Sequence, residues 1–297
     1  KWLHYGLTSS DIIDTTNAVL FTCAKNKIAD ASDLFTKCIE ERMYEEMGNH
    51  TEILARTHGR VAEKTYLSNI LKHWWSSFDE SLRNVQNSTL PGKLSGAVGD
   101  NKYISKFIED TVLCRLNLVS EDIGQIVPRE NYAIMLNDLA IMGSVLERIA
   151  TQIRLYQQDG IDEMFEPYSK KQTGSSAMPH KRNPVMCENI CGLAKVLRGY
   201  ASVGMENINT WYQRDISNSS VERIIIPDAF NILHYIILKM TDVVNGLEIN
   251  YDNIEKSVKK YDKQINSQRD LLNKIKKESS RQKAYESIKQ KLIKQNH

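Results

Sequence analysis

Apolar positions recur at three- and four-residue spacing over long stretches of this chain, and the pattern breaks only where proline or glycine intervenes. From Leu7 to Met47 there is neither glycine nor proline. Ile12, Thr16, Val19, Leu20, Cys23, Leu34, Phe35, Cys38 and Ile39 trace a stripe there, predicting one helix roughly 60 Å long. Segments 60–90, 129–159, 185–204, 205–226 and 228–245 carry the same period, and Pro91, Pro128, Pro167, Pro179, Pro184 and Pro227 fall between such segments. Strand-like alternation is scarce. The expected fold is all-α, a bundle of long helices whose cores continue across subunit interfaces, so that oligomerisation completes it.

Composition changes this picture only near the end. Residues 254–297 hold 13 Lys and Arg against 5 Asp and Glu, a charge of +8, while the rest of the chain carries −6. Ile265, Leu271, Leu272 and Ile275 keep helical spacing there, which favours solvated helices over a nucleic-acid tail. The expected division is a central bundle domain at 1–252 and the start of a small helical C-terminal domain at 253–297. The net charge of +2 over 297 residues gives no global field for nucleic acid or a membrane surface. No apolar run approaches eighteen residues. The five scattered cysteines (Cys23, Cys38, Cys114, Cys187, Cys191) suit a reducing compartment and no metal site. Lys1 opens within a patterned segment and the chain ends in a charged stretch, so a fragment is expected.

Four polar clusters interrupt the helices. Gly174-Ser175-Ser176-Ala177-Met178-Pro179-His180-Lys181-Arg182-Asn183-Pro184 combines two hydroxyls, an imidazole and two cations with residues that oppose helix. Asn183 and Pro184 read as a helix start whose free N–H groups would face an anion, so the run resembles a lid over an anionic substrate. A solvated basic turn is the bland alternative. His4-Tyr5-Gly6-Leu7-Thr8-Ser9-Ser10-Asp11 offers a capping box, Thr8 with Asp11, and more hydroxyls than one cap needs. Arg56-Thr57-His58-Gly59, expected to precede a long helix, places an imidazole able to exchange protons near neutral pH. Trp211 to Ser220, with Arg214, and then Glu222 and Arg223 suit either a phosphate or a helix-end ion network. Gly92 to Asp100 reads as a turn where helices approach closely. Together the clusters suggest proton transfer on a polyanionic substrate without metal or organic cofactor, with long helices bringing their ends together.

The run from Gly174 to Pro184 resembles the signature loop of the fumarase/aspartase superfamily, and His4–Asp11 and Arg56–Gly59 resemble its other two shared segments. His180, where fumarases usually have Gly and argininosuccinate lyases Gln, is a first sign of the branch. With the His-Tyr-Gly-Leu-Thr-Ser run and Arg214-Asp215-Ile216-Ser217, it makes the chain similar to the adenylosuccinate lyase family. That resemblance implies β-elimination of fumarate from adenylosuccinate to give AMP, and from SAICAR to give AICAR, in cytoplasmic purine biosynthesis. It implies Ser175 as general base and His58 as general acid, with Lys181 and Asn183 on a succinyl carboxylate. Thr8, Ser9, Thr57 and Gln125 would hold substrate, and Arg214, Ser219 and Arg223 the phosphate and ribose. Ser176 would support the loop, and Glu188 would orient a catalytic histidine.

The resemblance also implies no cofactor, no nucleic-acid or membrane partner, and a homotetramer whose sites are shared between subunits. Ala55 and Lys64 stand where the family usually has Gly and Pro. The family's N-terminal domain and part of its C-terminal domain are expected to be missing from these residues. Two alternatives remain open: another superfamily enzyme such as a 3-carboxymuconate cycloisomerase, which needs no phosphate site, and a non-catalytic helical scaffold.

Overall fold

The computed structural model describes residues 2–121, 124–168, 178, 180–277 and 280–293, the last three of them as backbone only. Helix α1 (Ser9–Asn49) contains 41 residues, about 60 Å at 1.5 Å per residue. Thr8 and Asp11 form the capping box expected at its start, and His50 ends it in left-handed backbone. Strands β1 (Glu52–Thr57) and β2 (Arg60–Tyr66) follow as an antiparallel hairpin, Thr57 paired with Arg60. His58 and Gly59 form its two-residue turn with φ of 53° and 71°, the type I′ geometry that matches the twist of the flanking strands. The helix expected over 60–90 therefore begins only at Leu67, as α2 (Leu67–Asn87). Arg56-Thr57-His58-Gly59 belongs to the hairpin rather than to a helix approach.

The chain continues through α3 (Lys106–Arg115), α4 (Arg129–Tyr156), α5 (Val185–Glu206) and α6 (Ser217–Asn245). Helices α1, α2, α4, α5 and α6 pack on one another around a continuous apolar core that includes Phe35, Trp74, Phe78, Leu139, Leu146, Leu233 and Ile236. Short strands β3 (Met164–Phe165) and β4 (Glu248–Ile249) pair antiparallel and tie the segment after α4 to the segment after α6. Helices α7 (Tyr251–Lys260), α8 (Asp262–Ile265), α9 (Ser267–Ile275) and α10 (Arg281–Ile293) follow, with α7 against β1 and α8 against β2. The architecture is the expected long-helix bundle, with helix α7 running across position 252/253. Gly92 meets Leu113 and Leu118 so closely that a Cβ would collide, which is the tight approach its loop suggested.

Two expectations about helices need correction. Segments 205–226 and 228–245 are not separate helices: α5 reaches Glu206, residues 207–216 turn, and α6 runs continuously through Pro227. Pro227 lies on the exposed side while Ile225, Ala229 and Phe230 are buried around it. Packing on the inner face holds the helix across the N–H that proline removes. The stripe on α1 is also displaced in its first half. Ile12, Leu20 and Cys23 face outward, whereas Asp11, Asp14, Thr15, Ala18 and Phe21 face inward. Only Phe35, Cys38 and Ile39 of the expected stripe are buried. Helix α6 is long and apolar enough to cross a membrane by length and composition alone, and here it packs against α1, α4 and α5 as a core helix.

Candidate active site

The start of α1 forms one pole of the bundle. Asp11 is fully buried, and its carboxylate accepts from the Thr8 amide (2.6 Å) and the Gly96 amide (3.2 Å) and pairs with the fully buried Lys93 ammonium. Thr15 Oγ1 donates to the Lys93 carbonyl at 2.8 Å. Beneath this first turn, Asp14 and Glu222 flank Arg129, at 3.0 Å and 2.7 Å, with all three side chains buried. Burial alone would weaken the Arg129 charge; hydrogen bonding and attraction from Asp14, then from Glu222, more than reverse this and hold the guanidinium protonated. Glu222 also accepts from Asn218 at 2.8 Å, so this part of the fourth cluster is an internal ion network.

The surface of the same pole carries six predicted substrate residues. Arg214 donates to Ser9 Oγ at 3.1 Å and Ser10 Oγ at 2.7 Å, joining the 207–216 turn to the α1 start. Asp215 accepts from the Trp211 and Ser217 amides, both at 2.8 Å, and the Ser217 contacts and the Trp211 amide lower its pKa to about 2. Gln125 is half-buried beside Gly124, which packs on Gln213, and Val127, whose amide donates to Asp14 at 2.9 Å. Ser219 and Arg223 line a cavity of about 500 Å³ with Ile13, Phe21, Tyr132 and Phe230. Thr8, Ser9, Gln125, Arg214, Ser219 and Arg223 thus share one pole.

The other pole holds the hairpin and the signature loop. His58 and Thr57 are exposed at the hairpin tip. Arg56 is not available to a ligand as a free cation: it grips the fully buried Glu163 bidentately, at 2.9 and 2.8 Å, and that contact raises its pKa further. Arg182 pairs with Glu248 at 3.1 Å and lies over the Tyr168 ring at 4.6 Å. His180 and Lys181 are exposed and Asn183 is half-buried, on the wall of a cleft of about 700 Å³ that also includes Arg154 and Asp159. Glu188 lies 3.7 Å from Arg154. Ser175 and Ser176 lie outside the described residues. Because α1 spans about 60 Å, the two poles of one chain cannot meet at one substrate, contrary to the expectation that long helices unite them. The two ends of one long helix stay apart within a chain, and groups at them could share a substrate only between copies.

The start of α5 differs from expectation in a second way. Its amides do not stand open to a ligand: Glu166, 4% exposed, accepts from Met186 N at 3.0 Å and Cys187 N at 2.8 Å. Burial, reinforced by this carboxylate, pushes the Cys187 thiol far up. An acidic side chain satisfies orphan amides better than Pro184, which stands at the cap position without a side-chain acceptor. Sequence reasoning missed Lys93, Asp14, Arg129, Glu163 and Glu166. Their charged or capping partners lie 20 to 115 residues away, and no local motif marks them. Among the described residues no group of three His, Cys, Asp or Glu could hold a metal ion.

Residues 1–199 match the family described as lyase. The adenylosuccinate lyase of Thermotoga maritima is 37% identical over 298 residues, covering 99% of this chain and 69% of the relative. That of Bacillus subtilis is 36% identical over 297 residues, 99% of this chain and 68% of its own length. The chain thus spans about two thirds of the curated relatives it matches. In fold it is similar to a fumarate lyase from Mesorhizobium sp. BNC1, with TM-score 0.82, 20% identity, and coverage of 97% of this chain and 65% of that one. It is equally similar to the 3-carboxy-cis,cis-muconate lactonizing enzyme from Pseudomonas putida, with TM-score 0.82, 18% identity, and coverage of 97% and 64%. The chain therefore belongs to the lyase family and, within it, to the adenylosuccinate lyases, which are C–N lyases.

Proposed function

We propose that this lyase eliminates fumarate from adenylosuccinate to give AMP, and from SAICAR to give AICAR, in cytoplasmic purine biosynthesis. Ser175 takes the Cβ proton of the succinyl group, and the electron pair moves into the adjacent carboxylate as an aci-carboxylate. Lys181 and Asn183 hold that developing charge. As the pair returns, the Cα–N bond breaks and His58 protonates the departing nitrogen, leaving fumarate and the amine. A serine hydroxyl is a poor base unless its alkoxide is stabilised. With the α5 amides given to Glu166, Lys181 is the cation assigned to that task.

The observation that carries the nucleotide reading is the Arg214 guanidinium held against Ser9 and Ser10 at the first turn of α1. A cation, hydroxyls and a helix N-terminus together suit a phosphate, which a muconate cycloisomerase does not need. Adding adenylosuccinate to the full-length protein and following absorbance tests it. Fumarate and AMP are expected; no turnover by intact oligomers would favour the non-catalytic scaffold.

The same reading makes the working unit a homotetramer with shared sites, since the two poles of one chain lie about 60 Å apart. Ile12, Leu20, Leu34, Ile134, Ile141 and Ile224, each at least 47% exposed, supply apolar surface for such contacts. Mixing Ser175→Ala with Arg214→Ala protein, assayed at adenylosuccinate concentrations well below the raised KM, and allowing subunits to exchange is expected to give turnover above the average of the two parents. Hybrids no more active than the average of the parents would confine each site to one chain.

A further inference from the structure

Both stems of the signature loop are fastened to the same short stretch of chain. Gln157, the residue that ends α4, uses the two halves of one amide for this. Its Oε1 accepts from the Glu166 amide at 3.1 Å, on the stem entering the loop. Its Nε2 donates to the Arg182 carbonyl at 2.9 Å, on the stem leaving it. Glu166 then reaches across 20 residues to cap α5 through the Met186 and Cys187 amides. Arg182 closes the arrangement by covering Tyr168 and pairing with Glu248. A primary amide that accepts from one stem and donates to the other fixes their relative height, because neither bond survives a slip of one residue.

We propose that Gln157 and Glu166 are positioning residues for elimination, setting where Lys181 and Asn183 stand relative to α4 and β3. This rests on the elimination reading above. Two features argue against a role in stability alone. Gln157 is only half-buried, so its hydrogen bonds face competition from water and add little to folding. The α5 amides that could otherwise bind a substrate anion are spent on the Glu166 carboxylate. Arg182 is likewise committed, while the Lys181 side chain has no partner among the described residues. The loop is thereby left with one uncommitted fixed cation between its described stem and α5, directed by the clamp rather than by the helix pole. Displacing such a group by about 1 Å can cost a hundredfold in rate.

The test uses full-length Gln157→Ala, Gln157→Glu and Glu166→Gln, each measured for kcat, KM, melting temperature, and affinity for fumarate and for AMP. Gln157→Glu keeps the acceptor for the Glu166 amide but sets a carboxylate against the Arg182 carbonyl. Both Gln157 variants are expected to lose about tenfold or more in kcat and to bind fumarate at least about fivefold more weakly. AMP affinity, read at the opposite pole, should stay within about twofold, and Glu166→Gln, which retains one acceptor, should lose less. Unchanged kcat and fumarate affinity in both Gln157 variants would overturn the proposal, as would a loss of AMP affinity in step with kcat. If the unmodified protein fails to turn over adenylosuccinate, the elimination reading falls, and the fumarate comparison still decides the clamp.

Discussion

The two poles of the bundle solve the task of presenting polar groups in opposite ways. At the α1 start, charge is buried under the groups proposed to face substrate: Asp11 with Lys93, and Asp14 with Arg129 and Glu222. Ser9, Ser10 and Arg214 therefore stand on a rigid polar foundation. At the other pole the buried contacts, Arg56 with Glu163 and Glu166 with the α5 amides, lie at the bases of a hairpin and a loop. His58, the proposed acid, stands beyond them at the exposed tip of a two-residue turn, and Lys181 is exposed on the described stem of the loop. A phosphate anchor needs a fixed address, which internal ion pairs supply. An acid needs to approach a substrate held elsewhere, which a projecting hairpin allows.

The comparison can be broken by substitution at each pole. The largest effect is expected at the projecting end: Ser175→Ala and His58→Ala should each lower kcat about a thousandfold while AMP affinity is retained. Retained turnover in either variant would show that this pole does not carry the proton transfers. Next, Arg129→Met removes the shared partner of two buried carboxylates and should cost about 3–5 kcal/mol in denaturant unfolding. A cost under about 1 kcal/mol would mean the foundation is not what stabilises the α1 start.

Arg214→Ala should raise KM for adenylosuccinate about tenfold or more, with little change in kcat, since charged hydrogen bonds contribute about 1.5–3 kcal/mol. Unchanged kinetics would remove the nucleotide assignment. The smallest effect concerns Asp215, whose pKa near 2 lies below the ordinary value of about 3.9. Its contribution to the 211–217 turn is present above pH 4 and lost as pH falls toward 2. An NMR titration of its carboxyl midpoint near 4 would contradict this.

Much of the bundle could be read in advance because glycine-free and proline-free periodicity is a local property. The capping box of Thr8 and Asp11 was local too, as were the segments matching the family. The hairpin was hidden because its turn is His-Gly rather than Asn-Gly, and a register shift between Leu54 and Arg56 interrupts its alternation. The α1 stripe was misplaced because buried acids occupy the inner face, and their partners Lys93 and Arg129 lie 82 and 115 residues away. No window along the helix contains that information. Pro227 misled for a similar reason, since apolar packing on both sides outweighed one missing hydrogen bond. The division of site residues between poles was likewise invisible to motif reading, which orders segments along the chain without measuring the helix between them.

The length of α1 also limits how this protein can change. Each residue added to an α-helix advances it 1.5 Å and turns it about 100°. One insertion between Ile28 and Phe35, both buried, would rotate the hairpin pole out of phase with the Ser9 pole. In the proposed shared-site assembly, both half-sites would be intact and neither would meet its counterpart on another subunit. Core substitutions can be absorbed one at a time, but in the proposed assembly the residue count of this helix would be set by the geometry of the whole. Functional relatives should therefore vary the length of α1 hardly at all.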